Sequence, residues 1–246
     1  MSLSLPKLIP YRRGDKWGFS DTNKRIIITT KYDRVGSFVE GLVKVELNSK
    51  WGFVNEKADE ITEIKYDEVT DFRNGYAKVN MGARKKENGE TIIGGKWGVI
   101  NKTGKEIIPI QYHQIGDVSE GVFPVMLNNK WNFLNVEGKP VSAIQYDSIG
   151  SFSEGLVPVN INGKWGFIDS RGKSIIANNF DKVGSFKNGV VQVELNGWWG
   201  FINNQGKGIT PIKYDEIKEP EGDLFLVKIG GRWGYIDKDG TEYFES

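Results

Sequence analysis

Five aspartates, Asp33, Asp67, Asp147, Asp181 and Asp215, each follow an aromatic residue at one recurring place in this 246-residue chain. Carboxylates at fixed spacing are raw material for metal sites and for general acid–base pairs. In a tandem array, however, equivalent residues line up as a row and do not converge, so the expectation is an Asx-turn role in the local backbone. His113 takes the sixth such place. It is the only histidine, which excludes His-based triads and multi-histidine metal clusters. The chain has no cysteine, and thiolate ligands, disulfides and a thiol nucleophile go with it. No nucleophile, base and orienter set is left, so the expectation is a protein that is not an enzyme and uses no cofactor or metal.

Cations offer a second chemistry. Lys16, Lys50, Lys96, Lys130, Lys164 and Arg232 each precede a tryptophan, and Arg84, Lys85 and Lys86 sit together in a longer stretch, residues 81–91. Lysine plus arginine is 33 against 32 acidic residues, a net charge of +1, so no long-range field draws nucleic acid or anionic lipid. The row before the tryptophans is expected to be solvated, beside hairpin turns. Trp198 interrupts it, and an exposed aromatic there is a candidate anchor for a partner, as are Arg84, Lys85 and Lys86.

The elements that position these residues repeat. Trp17, Trp51, Trp97, Trp131, Trp165, Trp199 and Trp233 recur at spacings of 34, 46, 34, 34, 34 and 34 residues. A period of this size marks a tandem array. In the unit that begins at Leu156, alternation over Leu156–Ile161 predicts a strand buried on one face. Asn162-Gly163 predicts a two-residue type I′ turn, and Lys164–Ile168 predicts a second strand apolar on both faces. An Asx residue (Asp21, Asn55, Asn101, Asn135, Asp169, Asn203, Asp237) closes that strand. Glycine follows three residues later in five units, as in a type I turn with a bulge. A third strand runs into the aromatic–Asp pair, and a connector carries Phe and Gly three apart (Phe38/Gly41, Phe72/Gly75, Phe152/Gly155, Phe186/Gly189). Proline recurs at one place in the first strand (Pro10, Pro124, Pro158) and one in the third (Pro109, Pro211) and never in the Trp strand, which predicts sheet edges at both and hence discrete sheets.

The Lys-Trp-Gly-Phe-Ile-Asx core, Gly-Lys turn, Ile-Ile-Pro strand, Tyr-Asp pair and Phe-x-x-Gly connector together resemble the bacterial WG-repeat (KWG-repeat) family over about residues 8–244. The resemblance implies tandem β repeats of bacterial origin, used as interaction or structural modules and without catalytic residues. Departures are Asn132 for the motif glycine, His113 for the aspartate, Val118 for the connector phenylalanine and the connector at Pro220-Glu221-Gly222.

The expected fold is all-β. It is one array of seven three-stranded antiparallel meanders over 1–246, with units at about 8–33, 42–67, 76–113, 122–147, 156–181, 190–215 and 224–246. The meanders stack face to face as an open superhelical array; a closed seven-bladed propeller is the alternative. Ser20 in the first unit and Tyr235 in the last, where others carry Ile or Val and Phe, fit polar outer faces. The tryptophans are expected in the core between units. Glycine after tryptophan reflects either a positive φ or a close neighbour. The first residues lack a basic segment and a long apolar run, so a cytoplasmic location is expected. The expected function is a scaffold binding another protein, of inhibitor or immunity type among the options, through an extended face and the 81–91 insertion. A carbohydrate or cell-envelope ligand is the alternative, with no nucleic acid and no membrane as partner.

Overall fold

A computed structural model describes residues 7–85, 92–218, 224–237 and 239–244, with the side chains of Lys85 and Ile92 left aside. Lys86 and Pro220-Glu221-Gly222 lie outside the described residues. All regular structure among them is β, in seven separate antiparallel sheets, none closed on itself. Sheet 1 holds β1 (Ile9–Arg13), β2 (Lys16–Ser20) and β3 (Ile26–Tyr32). Sheet 2 holds β4 (Arg34–Val35), β5 (Leu42–Leu47) and β6 (Lys50–Asn55). Sheet 3 runs β7 (Glu68–Val69), β8 (Tyr76–Lys85), β9 (Ile92–Asn101) and β10 (Glu106–Tyr112), and sheet 4 runs β11 (Gln114–Ile115), β12 (Val122–Leu127) and β13 (Lys130–Asn135). Sheet 5 comprises β14 (Ser148–Ile149), β15 (Leu156–Ile161), β16 (Lys164–Asp169) and β17 (Ser174–Phe180). Sheet 6 comprises β18 (Lys182–Val183), β19 (Val190–Leu195) and β20 (Trp198–Asn203). Sheet 7 comprises β21 (Glu216–Ile217), β22 (Leu224–Ile229) and β23 (Arg232–Asp237).

The hairpins form where Asn and Gly permit them. Asn48-Ser49, Asn128-Asn129, Asn162-Gly163, Asn196-Gly197 and Gly230-Gly231 all hold positive φ at both positions, the geometry of a type I′ turn. Two units differ. In sheet 1 only Gly14 has positive φ, and in sheet 3 Gly94 and Gly95 lie inside β9 and make no turn. There the pairing passes from Met81↔Lys96 to Ala83↔Gly94, skipping Gly82 and Gly95, and continues to Lys85↔Ile92. The insertion thus lengthens β8 and β9 to ten residues each in one unbroken register.

The connector is more than a tether. Its first two residues form a short strand that joins the following sheet: Arg34 and Val35 pair with Glu46 and Val45, and Ser148 and Ile149 with Asn160 and Val159. This corrects the expectation of a proline-marked edge at the first strand for Pro124 and Pro158, whereas β1, with Pro10, is an edge of its sheet. Pro158 lies one residue beyond that pairing and needs no donor there, because its carbonyl accepts the Gly150 N–H (2.9 Å) while β16 pairs on its other side. The connector ends in a second positive-φ pair, such as Glu40-Gly41 or Glu154-Gly155. Glu40 and Glu154 carboxylates accept the Gly75 and Gly189 N–H groups of the next such turn (3.0 and 2.8 Å).

The chain divides into two compact units, one of residues 1–117, 125–128 and 136–138, the other of 118–124, 129–135 and 139–246. Each has its core between successive sheets. In the first, Leu8, Phe19, Ile28 and Tyr32 of sheet 1 meet Val43, Val45 and Val54 of sheet 2, and Leu42, Phe53 and Tyr66 meet Ala77, Val79 and Ile100 of sheet 3. In the second, Val122, Phe133 and Tyr146 meet Val157, Val159 and Ile168; Leu156, Phe167 and Ile176 meet Val191, Val193 and Ile202; Val190, Phe201 and Tyr214 meet Phe225, Val227 and Ile236. Each of these five interfaces therefore joins an aromatic front face to a mainly aliphatic back face. Burial of this surface between neighbours replaces the core that a 34-residue unit cannot build alone.

Candidate interaction surface

The repeated tryptophans border those interfaces without being fully buried in them, Trp51, Trp131 and Trp199 packing against the buried clusters. Trp17, Trp51, Trp97, Trp131, Trp165 and Trp199 are half-buried and Trp233 is exposed, whereas the phenylalanine two residues on is buried (Phe167 is 1% exposed). Core placement of the tryptophans is thus corrected: each ring lies at the rim of its front face. A cationic stem covers several of them, with the Arg34 guanidinium 5.3 Å from the Trp51 ring and Lys182 Nζ 5.8 Å from that of Trp199. Arg34 also grips the buried Glu46 with two nitrogens, and Lys182 pairs with Glu194 (2.7 Å). Such stacking fills the half of the indole that the sheets leave open.

The motif glycines share one cause. Among them φ is positive at none, and the third segment of the same unit passes directly over each. A Cβ on Gly98 would stand 2.7 Å from the Ile108 carbonyl oxygen, and one on Gly18 or Gly166 would overlap the Ile28 or Ile176 carbonyl. The close neighbour is the reason, not a left-handed backbone.

The aspartate row and the lysine row turn out to be one device. Lys16, Lys50, Lys130 and Lys164 each donate to the aspartate seventeen residues on, Asp33, Asp67, Asp147 and Asp181. The second carboxylate oxygen accepts a backbone N–H from the next unit's hairpin: Asn48 (2.7 Å), Ala83 (3.0 Å), Asn162 (2.8 Å) and Asn196 (2.7 Å). These aspartates clamp neighbouring sheets and make no Asx turn, and the lysines are spent on them instead of lining a free basic stripe. Lysine and hairpin N–H together hold the carboxyls of Asp33, Asp147 and Asp181 below the usual carboxylate range. The Asx turns belong to the other row: Asn101 Oδ1, for example, accepts the N–H groups of Thr103 and Lys105. In sheet 3 the clamp is altered, with Lys96 Nζ 2.6 Å from His113 Nε2. In sheet 6 Trp198 stands in the lysine's place, and Asp215 keeps the Gly231 N–H at 3.4 Å.

The candidate partner-binding residues fall in two places. Arg84 is exposed on β8, opposite Ile93, and Lys85 follows it on the same strand. Met81 and Ile93 on this ribbon are each 39% exposed. Trp198, in the other compact unit, is 48% exposed at the start of β20. Sequence reading missed Met81 and Ile93, whose only signal was an apolar residue on each side of the inserted segment. Ser20, expected on an outer face, is buried, while Tyr235 is 50% exposed as its hydroxyl suggested. Among the described residues no group of three or more His, Asp or Glu could hold a metal ion, and no helix is long and apolar enough to cross a membrane.

Comparison with solved structures gives low similarity. A crystal structure of a eukaryotic initiation factor shares 14% identity at a TM-score of 0.42, over 98% of this chain and 73% of that one. Hsv2 of Kluyvelomyces marxianus shares 11% at 0.41 (84% and 72% of the two chains), and Hsv2p of Kluyveromyces lactis 10% at 0.38 (83% and 74%). No curated protein matches the chain. The family described as WG containing repeat matches residues 17–51, 51–84, 97–131, 133–165, 165–197 and 199–233. With that match running over most of its length, and the Trp-Gly step lying under its own third segment in unit after unit, the chain belongs to the WG-repeat family.

Proposed function

We propose that this chain is a non-enzymatic scaffold that binds another protein through the β8–β9 ribbon. The observation that carries the reading is the ribbon itself. Among the described residues it is the one place where a regular hairpin is prolonged, and along it lie exposed Met81 and, paired across the two strands, exposed Ile93 and Arg84. Exposed aliphatic side chains on a ribbon that also carries a cation suit a protein partner better than a sugar. A carbohydrate binder would use exposed rings at equivalent positions in several units. Here the motif tryptophans of sheets 1–6 are half-buried, and the exposed aromatics among the described residues, Trp198, Trp233, Tyr235 and Tyr243, occupy four different motif positions. The near-neutral charge supports neither nucleic acid nor membrane as partner. The test is affinity capture from the native cytoplasm with the wild-type chain and with Arg84, Lys85 and Lys86 changed to serine. Loss of a specific captured protein at unchanged melting temperature is expected, and equal recovery overturns the reading.

A further inference from the structure

The front face of sheet 7 is the one whose counterparts are buried everywhere else. Tyr235 occupies the position of Phe19, Phe53, Phe133, Phe167 and Phe201, all buried, and is half exposed. Leu224 occupies that of Leu42, Val122, Leu156 and Val190, again buried, and is exposed together with Trp233 and Tyr243. The back face of the same sheet is fully used, since Phe225, Val227 and Ile236 pack on sheet 6. Sheet 7 thus presents an aromatic front face of the kind that receives a mainly aliphatic back face at five interfaces of this chain.

The first sheet carries the matching surface. Ile9 pairs with Ser20 and Tyr11 with Gly18, in the register by which Val43 pairs with Val54 and Val45 with Gly52 in sheet 2. Cross-strand partners share a face, so Ile9 and Tyr11, both half-buried, hold the back-face positions of Val43 and Val45, with the small, buried Ser20 between Ile9 and Ile26 on the same face. We infer that the front face of sheet 7 docks the back face of sheet 1 of a second copy of this chain, repeating between molecules the contact that joins successive sheets within one. Tyr235 in place of phenylalanine and Tyr11 in place of valine keep both faces wettable, as a reversible contact requires. Because two different surfaces meet, the association is head-to-tail and adds further copies as concentration rises.

The test uses the full chain. Light scattering or sedimentation from micromolar to hundreds of micromolar should show mass rising with wild-type concentration. Tyr235→Lys and Tyr11→Glu should each weaken self-association by about tenfold or more. Mixing these two variants should restore a dimer and nothing larger, since each supplies the face that the other lacks. The absence of cysteine permits a second readout that needs no charge on either face. Tyr235→Cys and Tyr11→Cys chains should form a mixed disulfide faster than either forms one with itself. A constant monomer mass for the wild type, association of Tyr235→Lys equal to wild type, or no preference for the mixed disulfide overturns the proposal.

Discussion

Sheets 1, 3 and 5 differ from sheets 2, 4 and 6 in the segment that follows the Trp strand, although every such segment has the same length. In the odd sheets it is a regular strand, β3, β10 or β17, with Ile28 paired to Phe19, Ile108 to Val99 and Ile176 to Phe167. In the even sheets only isolated bridges remain, such as Trp199↔Tyr214 and Ile202↔Gly208. The residue at the paired position decides the difference: Ile28, Ile108 and Ile176 against Thr62, Ser142 and Thr210. Thr62 and Thr210 Oγ1 accept the Phe53 and Phe201 N–H groups (3.0 and 3.1 Å), taking over what a carbonyl does in a ladder. A side-chain acceptor lets the segment bend away without leaving a buried donor orphaned. Bending relieves the glycine beneath: a Cβ on Gly52 or Gly200 would meet its nearest atom at 3.0 or 2.9 Å, against 2.7 Å at Gly98 and closer still at Gly18 and Gly166.

The most damaging way to probe this contrast is to move asparagine from an even sheet to an odd one. Asn132 fits in sheet 4 because its Nδ2 reaches the Ser142 carbonyl (3.2 Å) and its Oδ1 accepts the Phe133 N–H (2.7 Å). Gly166→Asn in sheet 5 would drive a side chain into the backbone of β17, at a cost of about 3 kcal/mol in urea denaturation. The reciprocal Asn132→Gly should cost roughly 1 kcal/mol, from lost hydrogen bonds and a freer unfolded chain. Equal losses at the two sites would end the distinction between odd and even sheets.

Removing the hydroxyl is the next largest change. Thr210→Val keeps the shape and leaves the Phe201 N–H without its acceptor, so about 2 kcal/mol of stability should be lost. The same substitution at Thr62 should behave alike. Thr29→Val, at an exposed neighbour of Ile28 in the odd sheet 1, should be close to neutral. A neutral Thr210→Val would mean that the hydroxyl follows the bend and does not support it.

Much of this was legible beforehand, and the parts that were not have physical reasons. Asn162-Gly163 and its relatives state their turn type, because few residue pairs tolerate two positive φ values in succession. The connector strand left no trace, because Arg34–Val35 is too short for a period and its partner lies in the following unit. The rim position of the tryptophans was hidden by their apolar neighbours: Trp165 and Phe167 share a face, and only the packing of sheets shows which is deeper. The odd–even alternation was written in the residue at 28, 62, 108, 142, 176 and 210, but a reading that superposes all units averages it away. The Asp–hairpin clamp was illegible for the same reason as the connector strand, since donor and acceptor belong to different units.

That clamp spans odd and even sheets alike, so its pH response should not distinguish them. Asp33, Asp147 and Asp181 ionise more readily in the folded chain than in the unfolded one, where the carboxyl titrates near about 3.9. Their contribution is therefore complete above that value and disappears as pH falls through the lower folded values. Asp147→Asn and Asp181→Asn should each melt below the wild type at neutral pH, with the gap closing on acidification below about pH 4. A gap that persists undiminished in acid would assign the loss to something other than the ionised carboxylate.

The third sheet keeps the lysine of the clamp and lacks its aspartate, which makes it the place where the smallest change should help. His113 donates its backbone N–H to the Met126 carbonyl (2.8 Å), as Asp33 does to Glu46, so its side chain starts from the position of an aspartate. Its ring meets Lys96 Nζ, a donor that an imidazole accepts only while neutral and repels once protonated. A carboxylate there would take the Lys96 ammonium with one oxygen and leave the other for the turn that begins at Asn128, as Asp147 does for Asn162. His113→Asp should therefore raise the melting temperature by about 1–3 °C. His113→Asn, which offers the acceptor without the charge, should give less, and the gain of the aspartate should shrink in high salt because the pair is open to solvent. If asparagine and aspartate perform equally, the hairpin N–H and not the lysine is the partner that matters. If neither raises the melting temperature, the clamp is a consequence of sheet spacing set by the buried phenylalanine and valine faces.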